Sequence, residues 1–188
     1  MIFISQSGLT DNSRAAGWDA WYLEHLRIMA TVPGVASAQR FKTATPGASP
    51  SLAIYSVASA DVFTDPYYLS VRGMGEWLAL IDRCYYKRNL FSGLEHAPVV
   101  ENTACLLVGD RERPESAIAG ISFTWLKCEG IDRSTPYRGI AVVDAGKVPA
   151  LDATVAVYRP ASPRMKPVIP DAHDAPEGRL ESHPARKT

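Results

Sequence analysis

The stretch Gly17-Trp18-Asp19-Ala20-Trp21-Tyr22-Leu23-Glu24-His25-Leu26-Arg27-Ile28-Met29 decides how this chain is read. Trp18, Tyr22, His25 and Met29 follow the i, i+4, i+7, i+11 spacing of one helical face. Trp21 and Ile28 flank that stripe, while Asp19, Glu24 and Arg27 fall mostly to the other side. The pattern predicts an amphipathic helix with a histidine inside its inward, aromatic band. Such a histidine is either a core residue satisfied by one hydrogen bond or a proton-transfer group placed where water is scarce.

Upstream, Ile2-Phe3-Ile4-Ser5-Gln6-Ser7 reads as a first strand, and Asp11, Asn12 or Ser13 can cap the helix that follows. Val32-Pro33-Gly34 closes that helix, since proline cannot continue it and glycine relieves the turn. Val35 to Lys42 reads as a second strand, Pro46 to Pro50 as a turn, and residues 52–57 as a third strand in a hairpin with the second. Residues 60–72 suggest short helical pieces broken at Pro66. Residues 76–91 have helical composition, and residues 103–109 read as a strand. The order β-α-β-β-α-β over residues 1–110 predicts a ferredoxin-like split βαβ fold of the α+β class. Its antiparallel sheet would carry helices on one face and leave the other apolar, a face that a second copy of the chain can cover. Residues 111–159 read as a β-rich extension with strands near 121–128, 137–143 and 153–159. From Pro160 to residue 188 proline and charge dominate, as in a tail.

Twenty Lys and Arg balance twenty Asp and Glu, which argues against a nucleic-acid partner, and no apolar run approaches a membrane span. The apolar start lacks the flanks of a secretory signal, and Cys84, Cys105 and Cys128 make neither a metal pattern nor a disulfide framework. A cytoplasmic protein with reduced thiols is the expectation. His96, His173 and His183 form no ligand spacing with His25, so no metal is expected. No phosphate-binding glycine motif, Gly-x-Ser-x-Gly elbow or catalytic cysteine signature is present.

Trp18 to Leu26, Val32-Pro33-Gly34-Val35 and Ala38-Gln39-Arg40-Phe41 together resemble the dimeric α+β barrel proteins, closest to their EthD-like and neighbouring uncharacterised branches. The resemblance covers residues 1–110 and implies a homodimeric barrel whose helix-borne histidine, matched by His25, faces a pocket. That superfamily holds isomerases, cyclases, decarboxylases, monooxygenases and haem proteins, so the likeness leaves the reaction open.

The candidate catalytic residues are therefore His25, Tyr22 and Arg40. His25 would move a proton, Tyr22 or Tyr55 would polarise an oxygen, and Arg40, if it points inward, would hold a substrate carboxylate bidentately. Their bland counterparts are a satisfied core histidine, an amphipathic core-edge tyrosine and a solvated strand arginine. Trp18, Trp21, Tyr55, Trp77 and Tyr86 are the candidate substrate-binding residues. The patch Asp82, Arg83, Tyr85, Tyr86 and Arg88 reads as a charged helix face or a pocket rim. The expected function is a cofactor-free acid/base enzyme of isomerase, cyclase, decarboxylase or lyase type. Its substrate would be a small aromatic or unsaturated organic acid or ketone. A non-catalytic small-molecule-binding or assembly protein is the alternative, and a haem- or oxygen-dependent enzyme with His25 as axial ligand is the third.

Overall fold

Alternation along β1, Ile2–Ser7, gives the strand two faces, with Ile2 and Ile4 on one and Phe3 and Ser5 on the other. Both faces are covered in the computed structural model, which describes residues 1–167. The remaining strands are β2 Val35–Lys42, β3 Ser51–Val57, β4 Lys87–Ser92, β5 Ala104–Arg111, β6 Thr124–Ile131, β7 Tyr137–Asp144 and β8 Val155–Pro160. They form one closed antiparallel barrel in the order β1-β3-β2-β8-β5-β7-β6-β4. Two helices, α1 Ala15–Met29 and α2 Pro66–Val71, lie outside it with short 3-10 turns.

This corrects the predicted fold. The chain is not an α+β ferredoxin-like sheet that completes a barrel by dimerisation; eight strands of one chain close the barrel. The cause lies in residues 104–160, whose four strands form a sheet that joins the free edges of β2 and β4 through β8 and β6. The sheet face left open for a second copy thus becomes the barrel's interior, packed with Ile4, Phe41, Leu52, Phe91, Leu106 and Tyr158. The strand expected at 103–109 is β5, and it pairs with β7 and β8 rather than with β1. The place beside β1 belongs to β4, drawn from the region expected to be helical.

The predicted helix over 76–91 is also corrected. Gly75–Leu80 makes only a 3-10 turn, Lys87–Ser92 is a strand, and the segment between is tied down by competing bonds. The Asp82 carboxylate accepts from Cys84 N at 2.9 Å, and Asp82 N donates to the Gly8 carbonyl at 2.9 Å. Both bonds offer this backbone an alternative to helix hydrogen bonding.

Two covers hide the barrel's outer face. Helix α1 and residues 60–86 cover the β4-β1-β3-β2 side, with Trp18, Tyr22, Leu26 and Trp77 buried against it. Ile118 and Phe123 pack on Leu107 and Val155 of the other side. The α1-to-β2 turn needs Gly34, whose φ is 84° and whose position would drive a Cβ to 2.7 Å from Val62 Cγ2. Beyond β8, Ala161 N donates to the Arg40 carbonyl at 2.8 Å, and Met165 and Ala38 exchange backbone bonds. The remainder of the predicted tail, with His173 and His183, lies outside the described residues. No helix among the described residues is long and apolar enough to cross a membrane.

Inside the barrel Arg138 is completely buried, and its guanidinium meets the Asp110 carboxylate through two bonds of 2.7 and 2.8 Å. The Asp110 side chain is 41% exposed, which tempers the value of the pair. Removing it still strands a buried cation, so Asp110→Ala should cost about 3 kcal/mol, the low end for breaking a buried pair. Urea unfolding checks this: a loss under about 0.5 kcal/mol, the scale of an exposed pair, would show that Arg138 finds water or another partner.

Candidate functional site

The outer face of β1 and β3 presents Phe3, Ser5 and Tyr55 to the underside of α1, and α1 presents Trp21, Tyr22, His25 and Met29 to them. Tyr22 reaches Ser5 and Tyr55 across the space between them. The connection from β3 to β4 swings over them as a third wall, contributing Val62, Phe63, Tyr68, Arg72 and Met74. Asp65 starts α2 in that wall by accepting from Tyr67 N and Tyr68 N at 2.8 and 3.0 Å, with Pro66 in the first turn. Tyr86 and Arg88, at the start of β4, close one end. The cavity between these walls is open on one side and measures about 330 Å³, within the ~300–1,000 Å³ of ordinary small-molecule sites.

Of the predicted residues, His25, Tyr22, Trp21, Tyr55 and Tyr86 line this cavity. Trp18, Trp77 and Arg40 do not. Trp18 and Trp77 are buried behind it, their rings 5.4 Å apart, as packing rather than as wall. Arg40 sits beneath Tyr22, its guanidinium carbon 4.4 Å from the ring centroid. Its Nε donates to Ser51 Oγ at 2.9 Å and its Nη1 to Asp19 Oδ1 at 2.8 Å. Lys42 shares the same carboxylate. Partial burial of Asp19 opposes ionisation, yet Lys42 and Arg40 hold its carboxyl below the usual range. Arg40 is thus neither a solvated strand arginine nor a carboxylate clamp open to the cavity.

Three rings stack in a ladder along α1. Trp18 lies 4.7 Å from Trp21 and Trp21 4.8 Å from His25, each pair tilted by only 11°. His25 makes no hydrogen bond among the described residues, so stacking on Trp21 fixes one ring face. Desolvation by burial lowers its pKa from 6.5 to about 4, leaving the imidazole neutral at physiological pH. Burial pushes the Tyr22 phenol up, opposed by the Arg40 charge beneath it, and pushes the Tyr55 phenol well above its ordinary value. Both phenols stay protonated near neutrality. The Tyr22 hydroxyl lies against those of Ser5 and Tyr55, and both neighbours partly offset the upward push of burial on its phenol.

Sequence reading missed Phe3, Ser5, Phe63, Tyr68 and Arg72 as wall residues, and placed Arg88 in a patch read as a charged helix face or a pocket rim. The signal for Phe3 and Ser5 was present, since alternation puts them on the face opposite Ile2 and Ile4. Tyr68 and Arg72 are four apart across α2 and its end. Arg88 was assigned to a helix that does not form. No group of three His, Cys, Asp or Glu among the described residues is placed to hold a metal ion. No family model matches the chain, and no curated protein matches it.

The neutral state of His25 has a consequence for stability. Between pH 6.5 and about 4 the unfolded chain takes up a proton that the folded chain excludes, so stability falls as pH drops through this window. The melting temperature of wild type should therefore fall more steeply than that of His25→Gln between pH 7 and pH 5. Parallel curves would show an imidazole better solvated than its position implies. Trp18→Ala should cost about 3–5 kcal/mol in denaturant unfolding, because Trp18 is only 3% exposed.

Proposed function

We propose that this chain is an acid/base enzyme acting on a small aromatic or unsaturated organic molecule held in the cavity beside α1. What carries the reading is one convergence. A neutral imidazole and the protonated phenols of Tyr22 and Tyr55 face the same apolar, aromatic-walled space. His25 would accept a proton from an acidic C–H beside a carbonyl. The bonding pair would move onto the carbonyl oxygen, and Tyr22 or Tyr55 would donate a hydrogen bond to that oxyanion. Return of the proton from His25 to a different carbon completes an isomerisation. Water exclusion by Trp21, Phe3 and Phe63 strengthens each of these interactions.

A low pKa keeps His25 unprotonated and ready to accept but makes it a weak base, and no side chain among the described residues orients it through a hydrogen bond. That observation favours the second reading, a protein that binds such a molecule without transforming it. Solvent exchange separates the two. An aryl ketone bound in deuterated water should exchange its acidic C–H, followed by proton magnetic resonance, and His25→Gln should slow that exchange by roughly 10²–10⁴-fold. Binding by His25→Gln should stay within about threefold of wild type, because the walls remain. Binding with no exchange above buffer, or exchange unaffected by the substitution, would leave the non-catalytic reading standing.

A further inference from the structure

We propose that Arg88 is the anion anchor of this cavity, and that its ligand carries one carboxylate at the β4 end. This deepens the preceding reading and rests on it. The wall contains two guanidiniums, Arg72 and Arg88, and no carboxylate side chain. Register places Arg88 opposite Ser5, Ser5 opposite Ala53, and Ala53 opposite Arg40, so two arginines end one cross-strand row on the outer face. Their fates differ. Helix α1 lies over the Arg40 end, where Asp19 and Ser51 take up two of its nitrogens. At the other end the row runs out into the cavity.

Arg88 is held there from behind. Its backbone N donates to Asp132 Oδ2 at 2.8 Å, Asp132 N donates to the Arg88 carbonyl at 2.9 Å, and Nη2 reaches Asp132 Oδ1 at 3.2 Å. The Tyr86 ring lies 5.3 Å from the guanidinium carbon. Nη1 makes no hydrogen bond among the described residues, and Nε is buried without a partner. The turn presenting Asp132 is strained on both sides: Ile131 has φ 66° and Arg133 φ 47°. A β-branched residue in this region is costly and persists where surrounding structure imposes it. Here the strain flanks Asp132, which bonds the Arg88 guanidinium, as expected where a charged group is positioned for a ligand. With Asp132 set against the two guanidiniums, one positive charge is left over, which suits a monoanion. The exposed Arg72 at the mouth adds attraction during approach.

Isothermal titration of wild type with naphthoate, with its neutral isostere naphthamide and with naphthyl phosphate tests this. Naphthoate should bind at least about tenfold more tightly than naphthamide, and Arg88→Met should remove that preference, leaving acid and amide with equal affinity. If Arg88→Met fails to give a cooperative melt, the wild type still decides. Raising sodium chloride from about 20 to about 500 mM should weaken naphthoate binding selectively. Equal binding of acid and amide, or a preference surviving Arg88→Met, would remove the anchor and leave the cavity reading intact. Tighter binding of naphthyl phosphate than of naphthoate would overturn the monoanion assignment. Binding of none of the three would overturn the cavity reading and the anchor together.

Discussion

The fold depends on a short seam. Strands β2 and β8 meet over only two residue pairs, Phe41 with Pro160 and Lys42 with Arg159, and Pro160 brings no N–H to the ladder. Side chains supply what the backbone lacks. Thr43 Oγ1 donates to the Val157 carbonyl at 2.6 Å, Val157 N donates to Thr45 Oγ1 at 3.1 Å, and the Tyr158 hydroxyl donates to the Ser49 carbonyl at 2.8 Å. Ser162 Oγ then accepts from Arg40 N at 3.0 Å, so the chain continues along β2 after β8 has ended. Without this seam the interior would be an exposed apolar sheet face.

Closure also decides where a ligand can go. An eight-stranded barrel has an interior that side chains just fill, and here Phe41, Phe91, Tyr158 and Arg138 fill it. The cavity therefore lies outside, between the barrel wall and the elements that cover it. Helix α1 packs toward the sheet through Trp18, Tyr22, Leu26 and Met29, and Trp77 belongs to the same buried cluster. Trp18 and Trp77 are packing, and the cavity is lined by Trp21, Tyr22 and His25 along the same helix.

A single physical cause accounts for the protonation state of that space. Burial raises the two phenols and lowers the imidazole, in each case favouring the neutral form. A neutral interior with guanidinium charge only at its edge is an environment for an amphipathic ligand. Its apolar body would face Trp21, Phe3 and Phe63, and its polar end the arginines.

Much of this was legible in the residues. The Trp18, Tyr22 and Met29 stripe identified the buried face of α1, the Val32-Pro33-Gly34 stop identified its end, and β1, β2 and β3 followed from composition and turns. Periodicity works there because it reports which side of an element meets other atoms, and side-chain identity carries that information locally. Barrel closure is different. It is made by backbone edges meeting across more than one hundred residues, and backbone N–H and C=O groups are nearly the same whatever the sequence. Residues 76–91 show the converse, since their helical composition yielded to bonds with Gly8 and Thr10, far away in the chain. Sequence reading put Arg40 ahead of Arg88 because it placed Arg88 on a helix, whereas both are strand arginines on the same face. Tertiary packing brought Asp19 and Ser51 onto the first and left an Nη of the second free at a cavity, and a charge acts only where its partners leave it free.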